Sequence, residues 1–155
     1  MKRAFTVMAV IFATSLAIAQ AQPNFAGKWT LVPDPNAQGG MGGLGTDATI
    51  TQDATTLTIT RTTQMGTITS NYKLDGSESK NTLNFQGNSI DQLSTAKWDD
   101  GKLRVNTKMD FGGNPVEFNM VLSLDPSGNL VADVTRPDFQ GGGGPVTTKL
   151  TYKKN

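Results

Sequence analysis

Asp99 and Asp100 stand side by side in "DDG" (99–101), and two carboxylates are the least that general acid–base chemistry needs. One of them must then stay protonated near neutral pH, which takes an apolar wall or a close like charge. Adjacent acids on a tight turn point apart into water, so these two fit a solvated turn better than a catalytic pair. The chain has no His and no Cys, which excludes a Ser-His-Asp triad, a cysteine nucleophile and the usual zinc sites. Its acids are not clustered as a carboxylate-only glycosidase would need. "GMGGLG" (40–45) has the spacing of a dinucleotide loop in Gly40, Gly42 and Gly45. It is followed by "DATITQD", which reads as a strand and not as the helix whose N-terminus would hold a pyrophosphate. "GGGGP" (141–145) lacks the Lys-Ser/Thr of a phosphate loop. No catalytic residue, metal ligand or cofactor is expected, and the chain is not read as an enzyme.

What remains is chemistry of binding. Arg61 and Arg136 each end an apolar row, Leu57-x-Ile59-x-Arg61 and Leu130-x-Ala132-x-Val134-x-Arg136. A charge in that place either reaches solvent over its own aliphatic stem or anchors a mostly apolar pocket. Trp29, Trp98, Tyr72 and Tyr152 have the same two uses, as core packing or as a ligand platform.

The elements that carry these residues are short alternating runs, the pattern of strands with one buried face. "NFAGKWTLV" puts Phe25, Gly27, Trp29 and Leu31 on alternate positions. "TITSNYKL" aligns Ile68, Ser70, Tyr72 and Leu74, and "KLRVNTKM" aligns Leu103, Val105, Thr107 and Met109. "VEFNMVLSL" aligns Val116, Phe118, Met120, Leu122 and Leu124, and "VTTKLTY" aligns Val146, Thr148, Leu150 and Tyr152. "STAKW" pairs Ala96 with Trp98, and weaker runs lie at "ATITQD" and "NTLNF". Turn signals separate them: "DATT", "QMG", "DGSESK", "DDG", "FGGNP" and "DPSGN". The expectation is an all-β, antiparallel up-and-down meander barrel of eight to ten strands, the tryptophan strand pairing with the last to remove two unpaired edges.

Strand parity then polarises the barrel. Alternate connections of a meander share an end, so the Gly-rich 33–46 and 136–145 fall on one rim, with Met41, Leu44, Met65, Phe111 and Phe139. Tight, mostly acidic turns seal the other. Arg61 and Arg136 point at the Gly-rich rim.

The N-terminus, "MKRAFTVMAVIFATSLAIAQAQP", has a basic start, an apolar run and small residues at Ala17, Ala19 and Ala21. It reads as a signal peptide over 1–21, cut after Ala19 or Ala21, leaving 22–155 as a single barrel domain. The run is short of the ~20 residues of a spanning helix. No Cys follows for a lipid anchor, so no membrane anchor is expected and the product is periplasmic or secreted. Of 14 basic and 13 acidic residues, only Lys2 and Arg3 lie in the leader. The remainder is near neutral, which argues against nucleic acid as a partner.

"FAGKWTLV" resembles the first strand of the calycins, the lipocalin and fatty-acid-binding barrels, with their Gly-x-Trp near the start. "AKWDDGKLRVNTK" and "TTKLTYKK" resemble late strands of the fatty-acid-binding proteins. The whole of 24–154 is similar to small secreted lipocalin-like barrels of bacteria. Fatty-acid-binding proteins place two helices where this chain has 33–46. Their carboxylate-holding Arg-x-Tyr falls here on Leu150 and Tyr152, and their second anchoring Arg near Leu122. Avidins carry a similar "GKWT" but line their pocket with several tryptophans, against two here. The resemblance thus implies the barrel without the carboxylate clamp.

The expected function is non-catalytic binding of a small hydrophobic or amphiphilic molecule through the Gly-rich mouth. The candidate lining is Arg61, Tyr72, Trp98, Met109, Phe118, Met120, Arg136 and Tyr152, with small inward residues such as Ser70, Ala96, Thr107, Ala132 and Thr148 leaving room between. The alternative is a filled barrel that binds a protein, as barrel-type protease inhibitors do, through loops 33–46 and 136–145. An eight-strand interior suits either use.

Overall fold

The computed structural model describes residues 21–35, 43–63, 66–85, 87–139 and 141–155. Most of the expected leader, Met41, Met65, Gly40 and Gly42 lie outside the described residues. Among the described residues ten strands follow one another: β1 (Gly27–Leu31), β2 (Asp47–Gln52), β3 (Thr56–Thr63), β4 (Gly66–Lys73), β5 (Asp75–Phe85), β6 (Asn88–Asp99), β7 (Lys102–Asp110), β8 (Pro115–Leu124), β9 (Leu130–Arg136) and β10 (Val146–Lys154). They form one antiparallel sheet in the order β4-β3-β2-β1-β10-β9-β8-β7-β6-β5. The fold is an all-β up-and-down barrel, nearly closed, with the strand count at the top of the expected range.

The tryptophan strand does close onto the last strand. Trp29 stands opposite Lys154 and Leu31 opposite Tyr152. Alternation sorts the faces as a half-buried sheet requires: Ala48 and Ile50, Leu57 and Ile59, Leu103 and Val105, and Met120 and Leu122 point in and are buried. Threonines fill much of the outer face, where Thr58 bonds Asn71 at 2.8 Å and Thr60 meets Thr69 at 3.1 Å.

Parity places the connections as expected. The links after β1, β3, β5, β7 and β9, including both Gly-rich loops, share one end, here called the mouth. At the other end the turns are built on aspartates. Asp53 accepts the backbone N–H groups of Thr55 and Thr56, both at 2.8 Å. Asp125 accepts those of Ser127 and Asn129, both at 2.9 Å. The "DDG" link is a two-residue hairpin with Asp100 at φ 47 and Gly101 at φ 71, the left-handed pair that such a hairpin favours. Asp99 is held in an exposed ion pair with Arg104 at 2.5 Å. The pair of acids is thus part of a turn and its flank.

One connection is shorter than the sequence pattern implies: "DGSESK" is not a turn but the start of β5. The turn signal holds only for Asp75 to Ser77, where Asp75 takes the Ser77 N–H at 2.9 Å and its hydroxyl at 2.6 Å. This irregularity is absorbed as a register shift between Asp75 and Glu78 against β6.

The sheet edges are β4 and β5, neighbours in the chain that share no backbone ladder. Side chains of β5 bridge the seam. Asn81 accepts the Asn71 N–H at 2.8 Å and donates to the Asn71 carbonyl at 3.0 Å, as a backbone partner would. One step nearer the turn, Ser79 accepts the Lys73 N–H at 2.8 Å. Edge groups that would otherwise be unpaired are satisfied in this way.

Candidate functional site

The interior has two unlike halves. At the turn end the approach segment crosses under the barrel and Phe25 plugs it, fully buried. Phe25 stacks on Trp98 with ring centroids 5.7 Å apart, and its carbonyl accepts the Trp29 indole N–H at 2.8 Å. Gln52 fixes the segment from the wall, accepting the Phe25 N–H at 2.9 Å and donating to the Pro23 carbonyl at 3.1 Å. Above this plug the apolar cluster is continuous through Leu57, Tyr72, Leu103, Leu122, Leu130 and Tyr152.

A second insertion comes from the first Gly-rich loop. β1 is only five residues long, so the chain leaves the wall early and Leu44 is fully buried in the core cluster. Tyr152 holds it there: its hydroxyl accepts the Leu44 N–H at 3.2 Å and donates to the Gly45 carbonyl at 3.1 Å. Burial pushes this phenol up to about 12, with the Leu44 N–H and the nearby Arg61 charge acting the other way. Arg61 donates to the Gly43 carbonyl at 3.1 Å. Gly45 has φ +74, and a Cβ there would lie 2.3 Å from the Thr62 carbonyl oxygen, so only glycine fits.

The mouth-ward half is lined differently. Strand register sets two rows across β5 to β8. One runs Ser79, Ser94, Thr107, Phe118 and the other Asn81, Gln92, Met109, Val116. Ser94 and Thr107 share a hydroxyl–hydroxyl bond of 2.8 Å, and Gln92 Nε2 donates to the Met109 sulfur at 3.0 Å. Phe118 is buried and meets the half-exposed Phe139 of the second Gly-rich loop, centroids 6.3 Å apart.

The eight residues expected to line one pocket therefore fall in three places. Trp98 belongs to the sealed end. Tyr72, Met120 and Tyr152 belong to the apolar cluster, Tyr152 together with Arg61 fastening the inserted loop. Met109, Phe118 and Arg136 lie on the mouth-ward wall. Ala96 and Ala132, expected to leave room, are fully buried in the cluster. The polar lining of β5 and β6 (Ser79, Asn81, Gln92 and Ser94) was not legible as apolar alternation. The signal was nevertheless present: carrying the parity of Trp98 and Ala96 backward gives Ser94, Gln92 and Ile90.

Among the described residues, no three His, Cys, Asp or Glu side chains come together as a metal site would need. No protein-family model matches the chain, and no curated protein matches it.

Proposed function

We propose that the chain is an exported, non-catalytic carrier, calycin-like in fold, that takes one small and largely apolar molecule into the mouth-ward half of the barrel. The observation that carries this reading is the division of the interior. Hydrophobic packing and Phe25 fill the turn end, whereas the mouth-ward wall mixes apolar Phe118, Met109 and Val116 with small hydroxyl and amide groups. A mostly apolar wall with a few polar groups is the usual makeup of a small-molecule site. The basic-apolar-small leader supports export.

Diphenylhexatriene, a hydrocarbon that fluoresces only out of water, tests the reading. The wild type is expected to bind it at micromolar concentration. Thr107→Phe, which adds a ring beside Ser94 and Phe118, is expected to abolish that binding and leave the melting temperature unchanged. An unresponsive wild type, with a Thr107→Phe variant that melts earlier through overpacking, favours a filled barrel that binds a protein. That second reading rests on Phe139 and Val146, 50% and 39% exposed on the mouth.

A further inference from the structure

Ser70, on the β4 lip of the seam, is 1% exposed, and its hydroxyl has no hydrogen-bond partner among the described residues. Its neighbours alternate inward with Ile68 and Tyr72, so the hydroxyl belongs to the barrel interior and not to the outer face. Buried hydroxyls are nearly always bonded, and one left over calls for a partner. The adjoining wall has hydrogen-bonding capacity to spare. Ser94 and Thr107 spend one donor hydrogen on each other and keep the second. Gln92 spends an amide N–H on a thioether, a weak acceptor that any carbonyl oxygen would outcompete. Asn81, across the seam from Asn71, uses one of its two amide hydrogens there.

The two rows contain no charged side chain. Arg61 is engaged by the Gly43 carbonyl, and Arg136 stands at the end of β9, one residue past the Thr135–Asn119 pair. A carboxylate drawn down to Ser70 would be buried without a counter-charge, which is costly, whereas a neutral oxygen would meet donors and acceptors. We propose that Ser70, Gln92, Ser94 and Thr107 form a polar subsite for a neutral hydroxyl, ketone or amide group on an otherwise apolar ligand. The ligand then binds with its polar group inward, without an arginine clamp. This rests on the carrier reading of the barrel.

The test is displacement of diphenylhexatriene by three naphthalenes of one shape: 2-naphthol, 2-methylnaphthalene and 2-naphthoate. The naphthol is expected to compete about tenfold more strongly than the other two, the effect of one good hydrogen bond at ~1.4 kcal/mol per factor of ten. Ser70→Ala and Gln92→Leu should each remove most of that margin. Thr69→Ala, one residue along and facing solvent, should leave it intact. Failure of the wild type to bind diphenylhexatriene at all overturns the carrier reading and this one with it. With the dye bound, three results overturn the subsite alone: equal competition by naphthol and methylnaphthalene, a margin that survives both variants, or a preference for the naphthoate that Arg136→Gln removes.

Discussion

Trp29 joins three structures at the sealed end of the barrel. Its ring is buried at 2% exposure, its N–H holds the Phe25 carbonyl, and the Lys154 ammonium lies 5.5 Å from the ring centroid. Trp29→Ala empties the largest fully buried side chain and frees the plug, so it is expected to cost about 3–5 kcal/mol by denaturant titration. Tyr152 plays the matching part at the inserted loop. Tyr152→Phe keeps the ring but leaves the buried Leu44 N–H and Gly45 carbonyl without their partner, a loss of about 1–3 kcal/mol. The wild-type phenol also sets an alkaline limit. Its folded pKa lies above the unfolded value of about 10, so its contribution is complete below that pH and disappears as pH rises through about 12. Tyrosinate absorbance should show a step delayed to that range, advanced to the unfolded value once the chain is denatured.

At the scale of elements, the turns opposite the mouth depend on ionised carboxylates. Asp53 is held below the ordinary carboxylate range by backbone N–H bonds from Thr55 and Thr56, and Asp125 by the Asn129 side chain and then its backbone N–H. Asp75 is lowered chiefly by the Ser77 hydroxyl. Groups with depressed folded pKa values stabilise above the unfolded value of about 3.9 and lose that contribution as pH falls through the lower folded one. The melting temperature should therefore be steady from above that range to about pH 10, where the Tyr152 loss begins, and fall below that range, and Asp125→Ala should lower the plateau and flatten the acid limb. These turns were readable in the sequence because Asp, Gly and Asn at fixed offsets have a local cause. So were the strands whose inward residues are apolar, such as Leu57-x-Ile59 and Leu103-x-Val105. The first half of β5 was not, because a polar inward row of Ser79 and Asn81 erases the hydrophobic period and imitates a loop, and its second half showed only as the weak run "NTLNF". Met109, Phe118 and Arg136 could be placed on the wall from sequence because each continues an apolar alternating row, Leu103-x-Val105, Met120-x-Leu122 and Ala132-x-Val134. The hydroxyls and amides between them could not be assigned a role, since their meaning depends on which strand lies opposite.

For the whole molecule, the seam between β4 and β5 is the weak line of the wall. Among the described residues it is held by Asn81, Ser79, the Lys73 ammonium donating to the Glu78 carbonyl at 3.2 Å and the one-residue link at Leu74, not by a ladder. Asn81→Ala is expected to cost about 1–2 kcal/mol. Hydrogen exchange should quicken at Asn71 and Lys73 and stay slow across the β1–β10 pairing. The seam has a further consequence for how the chain could be rewired. Asn155 lies against β1, where it donates to the Lys28 carbonyl at 2.9 Å and to the Thr30 hydroxyl at 3.0 Å. A circular permutant that joins Asn155 by a short linker to the segment entering β1 and opens between Leu74 and Asp75 breaks no ladder. It turns the longest-range pairing of the native chain, β1 with β10, into a local hairpin, and the ring becomes a linear meander from β5 to β4. Lower contact order means less loop-closure entropy before native contacts form. The permutant should therefore refold faster than the native chain in stopped-flow mixing while keeping its backbone pairing.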